Sequence, residues 1–125
     1  MRFACIISLA LFSTSLVVGQ EAPAKEFSAE ALAFYDKEVL PILKTHCYKC
    51  HGDNNNKGEF SLATRAGILK GGEDGKVIDT QKPEASKFLV ALKYTTDLKM
   101  PPKGKIPDSD IEVLTRWLKA DLPMR

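Results

Sequence analysis

The chain is poor in most of the features that point to a common function. Its 125 residues carry 18 basic and 16 acidic side chains, a formal charge of only +2. This near balance gives no support for nucleic-acid binding, which usually needs a clustered basic face. Only one long apolar run is present, at the extreme N-terminus, and no second run follows that could span a membrane. No stretch alternates apolar and polar residues as a half-buried strand would, and no internal repeat is visible. The nearest approach to a phosphate-binding loop is Gly71-Gly72-Glu73-Asp74-Gly75-Lys76. It has three residues between Gly71 and Gly75 where four are needed, and Val77 follows the lysine where Ser or Thr should stand. A mobile turn is the expectation there. Histidine is limited to two residues, cysteine and methionine to three each, and tryptophan to one. Any chemistry resting on those side chains has few candidates.

The N-terminal run accounts for one cysteine. Met1-Arg2 supply a positive start, Ala4 to Val18 are apolar apart from small hydroxyl residues, and Val17-Val18-Gly19 close the run. This is the pattern of a secretory signal peptide over residues 1–19, with cleavage after Gly19 or, as a second choice, after Ala22. Cys5 lies at the very start of this run and would leave with it. The expected location is therefore the periplasm or an equivalent extracytoplasmic compartment, with residues 20–26 as a disordered leader. Two cysteines remain, Cys47 and Cys50, in a compartment where unclaimed thiols tend to oxidise.

Both lie in Cys47-Tyr48-Lys49-Cys50-His51, the C-x-x-C-H pattern of c-type haem attachment. Two thiols at this spacing can each form a thioether with one vinyl group of the same porphyrin, and the histidine can bind the iron from the proximal side. One competing reading is a dithiol redox pair. That chemistry wants a thiol at a helix N-terminus, whereas here a helix is expected to precede the motif. Zinc is the other, and it would need four ligands without a second C-x-x-C.

A low-spin haem iron also needs a ligand on its far face. Beyond the signal peptide only Met100 and Met124 offer a thioether. Met124 is next to the C-terminus, where anchoring is expected to be poor. Met100 lies 49 residues beyond His51, and Pro101-Pro102 hold its backbone extended. Met100 is thus the expected distal ligand. His46, tethered on the proximal side, is expected at the surface or the haem edge.

The pattern around these residues is helical. Ser28 can cap a helix, with Phe27 and Leu32 as a hydrophobic staple. Leu32, Tyr35, Val39, Ile42 and Leu43 then recur on one face up to Cys47, with a kink or break expected at Pro41. Gly52 to Gly58 is turn-forming, and Thr64 to Leu69 suit a short helix closed by Gly71-Gly72. Pro83 suits the first residue of another helix, which buries Phe88, Leu89, Ala91 and Leu92 and ends at Thr95-Thr96. A last helix from Pro107 or Asp108 carries Ile111, Leu114, Trp117 or Leu118, and Leu122. The expected fold is a small all-α, cytochrome c-like domain of three to four helices over residues 27–122, around one haem.

Val39-Leu40-Pro41-Ile42-Leu43, the haem motif with Gly52, Lys70-Gly71-Gly72, Pro83-Glu84-Ala85-Ser86, Lys99-Met100-Pro101-Pro102 and Trp117 together resemble the planctomycete-type cytochrome c domain of the class I cytochrome c-like superfamily. The resemblance covers roughly residues 34–122. It implies a helical fold whose first and last helices pack together beside haem c, with His51 and Met100 as axial ligands. Thr80-Gln81 and Pro107 depart from it, in loops. The expected function is one-electron transfer between protein partners without catalysis. The partner would be a separate redox protein, such as a dehydrogenase or oxidase, unless the chain is a fragment of a longer one. A five-coordinate ligand-binding or peroxidase-like haem protein is the alternative, with a thiol or zinc module behind it. Arg65 or Trp117 could bind a haem propionate, though a solvated helix position for Arg65 and plain core for Trp117 fit equally well; Lys99, Lys103 and Lys105 could steer an acidic partner, or simply form a solvated loop.

Overall fold

A computed structural model describes residues 24–125. The expected signal peptide, its cleavage sites and the start of the leader lie outside the described residues. The rest is all-α. Its helices are α1 (Ala29–Phe34), α2 (Leu40–His46), α3 (Tyr48–His51), α4 (Arg65–Lys70), α5 (Lys87–Lys93) and α6 (Asp108–Lys119).

Ser28 caps α1 by accepting a hydrogen bond from the Ala31 amide at 3.2 Å. Between α1 and α2 the chain runs through a π turn, Tyr35–Val39. This turn stands just before Pro41, where a kink or break was expected. The Leu40 amide reaches back to the Tyr35 carbonyl, and Val39 and Leu40 keep right-handed helical angles. A π turn is wider than an α turn, which gives the ring of Pro41 room against the preceding carbonyls. Helical backbone therefore continues from residue 29 to residue 46.

The other helix ends follow local chemistry. Thr64 caps α4 by accepting from the Gly67 amide at 3.0 Å, and Gly71, at φ 82°, closes it. The following glycine-rich turn, expected to be mobile, is instead tied down. Gly72 pairs with Gly75, and the Glu73 amide donates to the Gly58 carbonyl at 2.9 Å. A Cβ on Gly72 would stand 2.6 Å from the Gly58 carbonyl oxygen, so the close approach needs glycine. Pro83 starts a 3-10 turn, Pro83–Ala85, and α5 begins only at Lys87. The reason is Ser86. Its backbone is extended and its buried hydroxyl accepts from the Asp79 amide at 2.8 Å, pinning the preceding loop rather than continuing a helix. A two-residue strand, Asn55–Asn56, is the small departure from the expectation of no strands.

The first and last helical segments pack on each other. Tyr35 and Trp117 place their rings 6.1 Å apart, Arg116 donates to Glu38 at 2.7 Å, and His46 faces Asp110 at 3.6 Å. Val39, Leu43, Leu114, Trp117 and Leu118 are fully buried there. Truncating a large side chain in such a core costs about 2–5 kcal/mol. After α6 the chain turns back through Asp121 and Leu122, both at positive φ. Each such residue costs about 1–2 kcal/mol. The turn buries Leu122, Pro123 and Met124 and lets the Trp117 indole N–H donate to the Pro123 carbonyl at 2.9 Å, which offsets that cost. Met124 is therefore well anchored, contrary to expectation, as a core side chain.

Asp121 closes this tail. It accepts from Arg65 at 3.0 Å and pairs with Lys25. Partial burial alone would raise its pKa, but Lys25 and Arg65 outweigh it and hold the carboxyl below its ordinary value. A depressed carboxylate contributes stability above its ordinary pKa and loses it as pH falls through the folded value. Asp121→Asn should therefore melt at a lower temperature than wild type at neutral pH. The gap should close in acid below about pH 4, which thermal unfolding followed by circular dichroism across pH will read.

Candidate haem attachment site

The motif forms where α2 gives way to α3. The Cys47 amide donates to the Leu43 carbonyl at 2.9 Å and so ends α2. At Cys47 the backbone swings to φ −121° and ψ −42°, only partly out of the helix. Its carbonyl then accepts from the amides of Cys50, at 3.1 Å, and His51, at 2.9 Å. The motif thus has a helical turn of its own, where the sequence suggested only the end of the preceding helix. One turn presents both thiols and the imidazole.

The surroundings of the two thiols differ. Cys47 is buried among core residues, whereas Cys50 is half-buried, and both are free thiols. Burial, with Cys50 as the lesser cause, pushes the Cys47 thiol up to about 12. An activated dithiol needs the opposite shift. The physical case against a redox pair is therefore burial, since Cys47 does stand at the start of a helical turn. For zinc, no cluster of three or more His, Cys, Asp or Glu side chains suited to a metal ion occurs among the described residues.

His51 is fixed from several directions. Its Nδ1 lies 3.0 Å from the Phe60 carbonyl, and its own carbonyl accepts from the Leu62 amide at 2.7 Å. The loop expected after the motif folds back as a short ribbon that pairs His51 with Asn56 and Gly52 with Asn55. Asn55 also donates its side-chain amide to the Lys49 carbonyl at 3.0 Å. The Phe60 ring lies 5.5 Å from the imidazole, tilted by 60°. A carbonyl can only accept, so the Nδ1 contact requires the proton on Nδ1 and leaves the lone pair on Nε2. Metal-binding histidines commonly donate their other ring nitrogen to such a carbonyl. Two free thiols and an imidazole oriented in this way fit a covalently held haem. Phe60 acts here through its backbone, which no side-chain pattern could have revealed.

Met100 stands apart from this turn in the sequence and is 41% exposed. Its amide donates to the Ala91 carbonyl of α5 at 3.1 Å. Nearby in the chain, Leu98 is also exposed. The two residues considered for a propionate are engaged elsewhere. Trp117 is fully buried and donates to Pro123, while Arg65 donates to the Asp121 carboxylate. His46 is half-buried against Asp110 and ties the end of α2 to α6. Among the three lysines near Met100, Lys105 pairs with Asp108, Lys99 lies over the Tyr94 ring at 5.9 Å, and Lys103 is exposed.

The turn after His51 is sterically tight. A Cβ on Gly52 would stand 2.6 Å from the Tyr48 carbonyl oxygen, a backbone atom that cannot swing aside. Gly52→Ala should therefore destabilise the fold by about 2 kcal/mol and lower haem incorporation. Chemical denaturation and the haem-to-protein ratio after expression with the attachment machinery will check both.

No curated protein and no solved structure matches the chain. The model of the family described as Planctomycete cytochrome C matches residues 47–104. The matched segment opens on the first motif cysteine, takes in the His51 turn and runs past Met100. With two free thiols and an oriented histidine at its head, the segment over residues 47–104 is similar to the Planctomycete cytochrome C family.

Proposed function

We propose that this chain is an exported electron carrier with one haem c, bound through thioethers at Cys47 and Cys50. In this reading His51 is the proximal iron ligand through Nε2 and Met100 is the distal ligand. The observation that carries the reading is the Nδ1 contact of His51 with the Phe60 carbonyl, made on the same helical turn as two free thiols. It leaves a lone pair on Nε2, as a proximal ligand would require, and holds the imidazole against rotation.

When bound, the haem would supply an iron that takes up and releases one electron. The protein's contribution is to hold its ligands still. Cys47 and Cys50 anchor the group from a single turn, and the Phe60 carbonyl makes His51 a stronger donor. A methionine sulfur opposite favours the ferrous state and raises the potential relative to two histidines. If His51 and Met100 both held the iron, no open site would remain for a substrate, which favours a carrier over an enzyme. The N-terminal sequence supports export, and no helix among the described residues is long and apolar enough to cross a membrane. A separate redox protein would then be the partner, approaching the exposed Leu98 and Met100 with Lys99 and Lys103 at their side.

The exposure of Met100 favours one second reading, a five-coordinate haem open to small ligands. The two readings separate in one comparison. Mass spectrometry of the holoprotein should show one haem added to the processed chain, and none after Cys47→Ser combined with Cys50→Ser. The wild-type spectrum should be low-spin, and Met100→Ala should make it high-spin and reactive with carbon monoxide. A wild-type protein already high-spin and open to carbon monoxide would favour the second reading.

A further inference from the structure

The stretch of residues 97–102 around Met100 has no helix or strand of its own. Two hydrogen bonds tie it to the end of α5. The Met100 amide donates to the Ala91 carbonyl at 3.1 Å, and the Tyr94 hydroxyl donates to the Pro101 carbonyl. These bonds bracket Met100, one at its own N–H and the other at the carbonyl of the next residue. The anchor is firm, because Leu89, Ala91 and Leu92 of α5 are buried in the core. Met100 thus combines an exposed side chain with a fixed backbone.

Tyr94 is an unusual residue for its place. It ends α5 in the left-handed conformation, φ 61° and ψ 24°, where glycine is the common choice. A bulky side chain there is strained, and such strain marks a position held for another reason. Glycine would relieve the strain but could not supply a hydroxyl. The ring has a second contact, with the Lys99 ammonium 5.9 Å from its centroid, immediately before Met100. The hydroxyl and the ring of Tyr94 therefore touch the chain on both sides of Met100.

We propose that Tyr94 is a positioning residue for the distal ligand: its hydroxyl, bonded to the Pro101 carbonyl, keeps the Met100 sulfur from leaving the iron. The inference rests on the reading of Met100 as distal ligand given above. Tyr94 does not touch the iron and acts only through the backbone beside Met100.

Tyr94→Phe isolates the hydroxyl, since it keeps the ring, the lysine contact and the backbone strain. In the ferric holoprotein an added ligand such as imidazole must wait for the sulfur to leave, so its binding rate reports that event. Tyr94→Phe should bind imidazole about tenfold faster than wild type, the factor that one hydrogen bond is worth. The thioether-to-iron charge-transfer band should weaken, and the Met100 amide should exchange its hydrogen faster. Thr64→Ala, which removes the cap of α4, serves as a control for general loosening and should leave the imidazole rate within about twofold of wild type. Unchanged imidazole binding in Tyr94→Phe, or an equal acceleration in Thr64→Ala, overturns the positioning role. Met100→Ala separates this from the ligation reading. If that variant matches wild type in spectrum and rate, ligation by Met100 falls and the proposal with it. If it opens the iron while Tyr94→Phe does not speed binding, the positioning role alone falls.

Discussion

The contact between the His51 imidazole and the Phe60 carbonyl is the constraint on which the rest of the site depends. An imidazole after a helical turn could rotate freely, and either nitrogen could carry the proton. Accepting a hydrogen bond is all that a carbonyl can do, so one contact at 3.0 Å selects both the ring orientation and the tautomer. For Phe60 to stand there, the chain must leave the motif, turn sharply at Gly52, pair Asn55 and Asn56 back onto the turn, and bury the Phe60 ring. The Leu62 amide bonded to the His51 carbonyl closes the same return. Much of the segment between the motif and α4 is thus explained by the need to hold one side chain.

The remaining helices carry that turn. Tyr35 against Trp117 and Glu38 against Arg116 fix the π turn to α6, and His46 against Asp110 fixes the end of α2, so the point from which Cys47 emerges has a defined position. Tyr35 also belongs to this arrangement. Its phenol is held well above its ordinary pKa, by burial first and by neighbouring Tyr48 second, and so stays neutral. The tail beyond α6 seals the same core, at the cost of two left-handed residues that the burial of Leu122, Pro123 and Met124 offsets. Rigidity is concentrated on the proximal side. The residues around Met100 have no helix or strand of their own and are tied to the end of α5 by two hydrogen bonds.

Much of the fold was legible in the sequence because its signals are local. The Ser28 cap, the glycine at the end of α4 and the apolar stripe of α6 all appear where side-chain type and spacing put them. In each misreading, groups outside the short motif that was read overrode its local preference. Pro41 did not break its helix because a π turn in the preceding residues made room for it. Pro83 did not start an α-helix because Ser86 was claimed by Asp79. Met124 was not loose, because the turn at Asp121 and Leu122 folds the terminus into the core. Of the two roles weighed for Trp117 the fold shows the core one, with its indole bonded to Pro123, while Arg65 is bonded to Asp121.

By itself the sequence determined which residues can do chemistry. With so few cysteines, histidines and methionines, the spacing of C-x-x-C-H and one methionine before two prolines left little choice, since covalent reach and ligand type are properties of residues. Tertiary structure alone decided how those residues are held. The tautomer of His51, the burial that sets the two thiols apart and the clamp of Tyr94 beside Met100 all arise from backbone groups brought together across the fold. Backbone carbonyls and amides are alike at every position, so their roles cannot be read from side-chain identity and emerge only when the chain is folded.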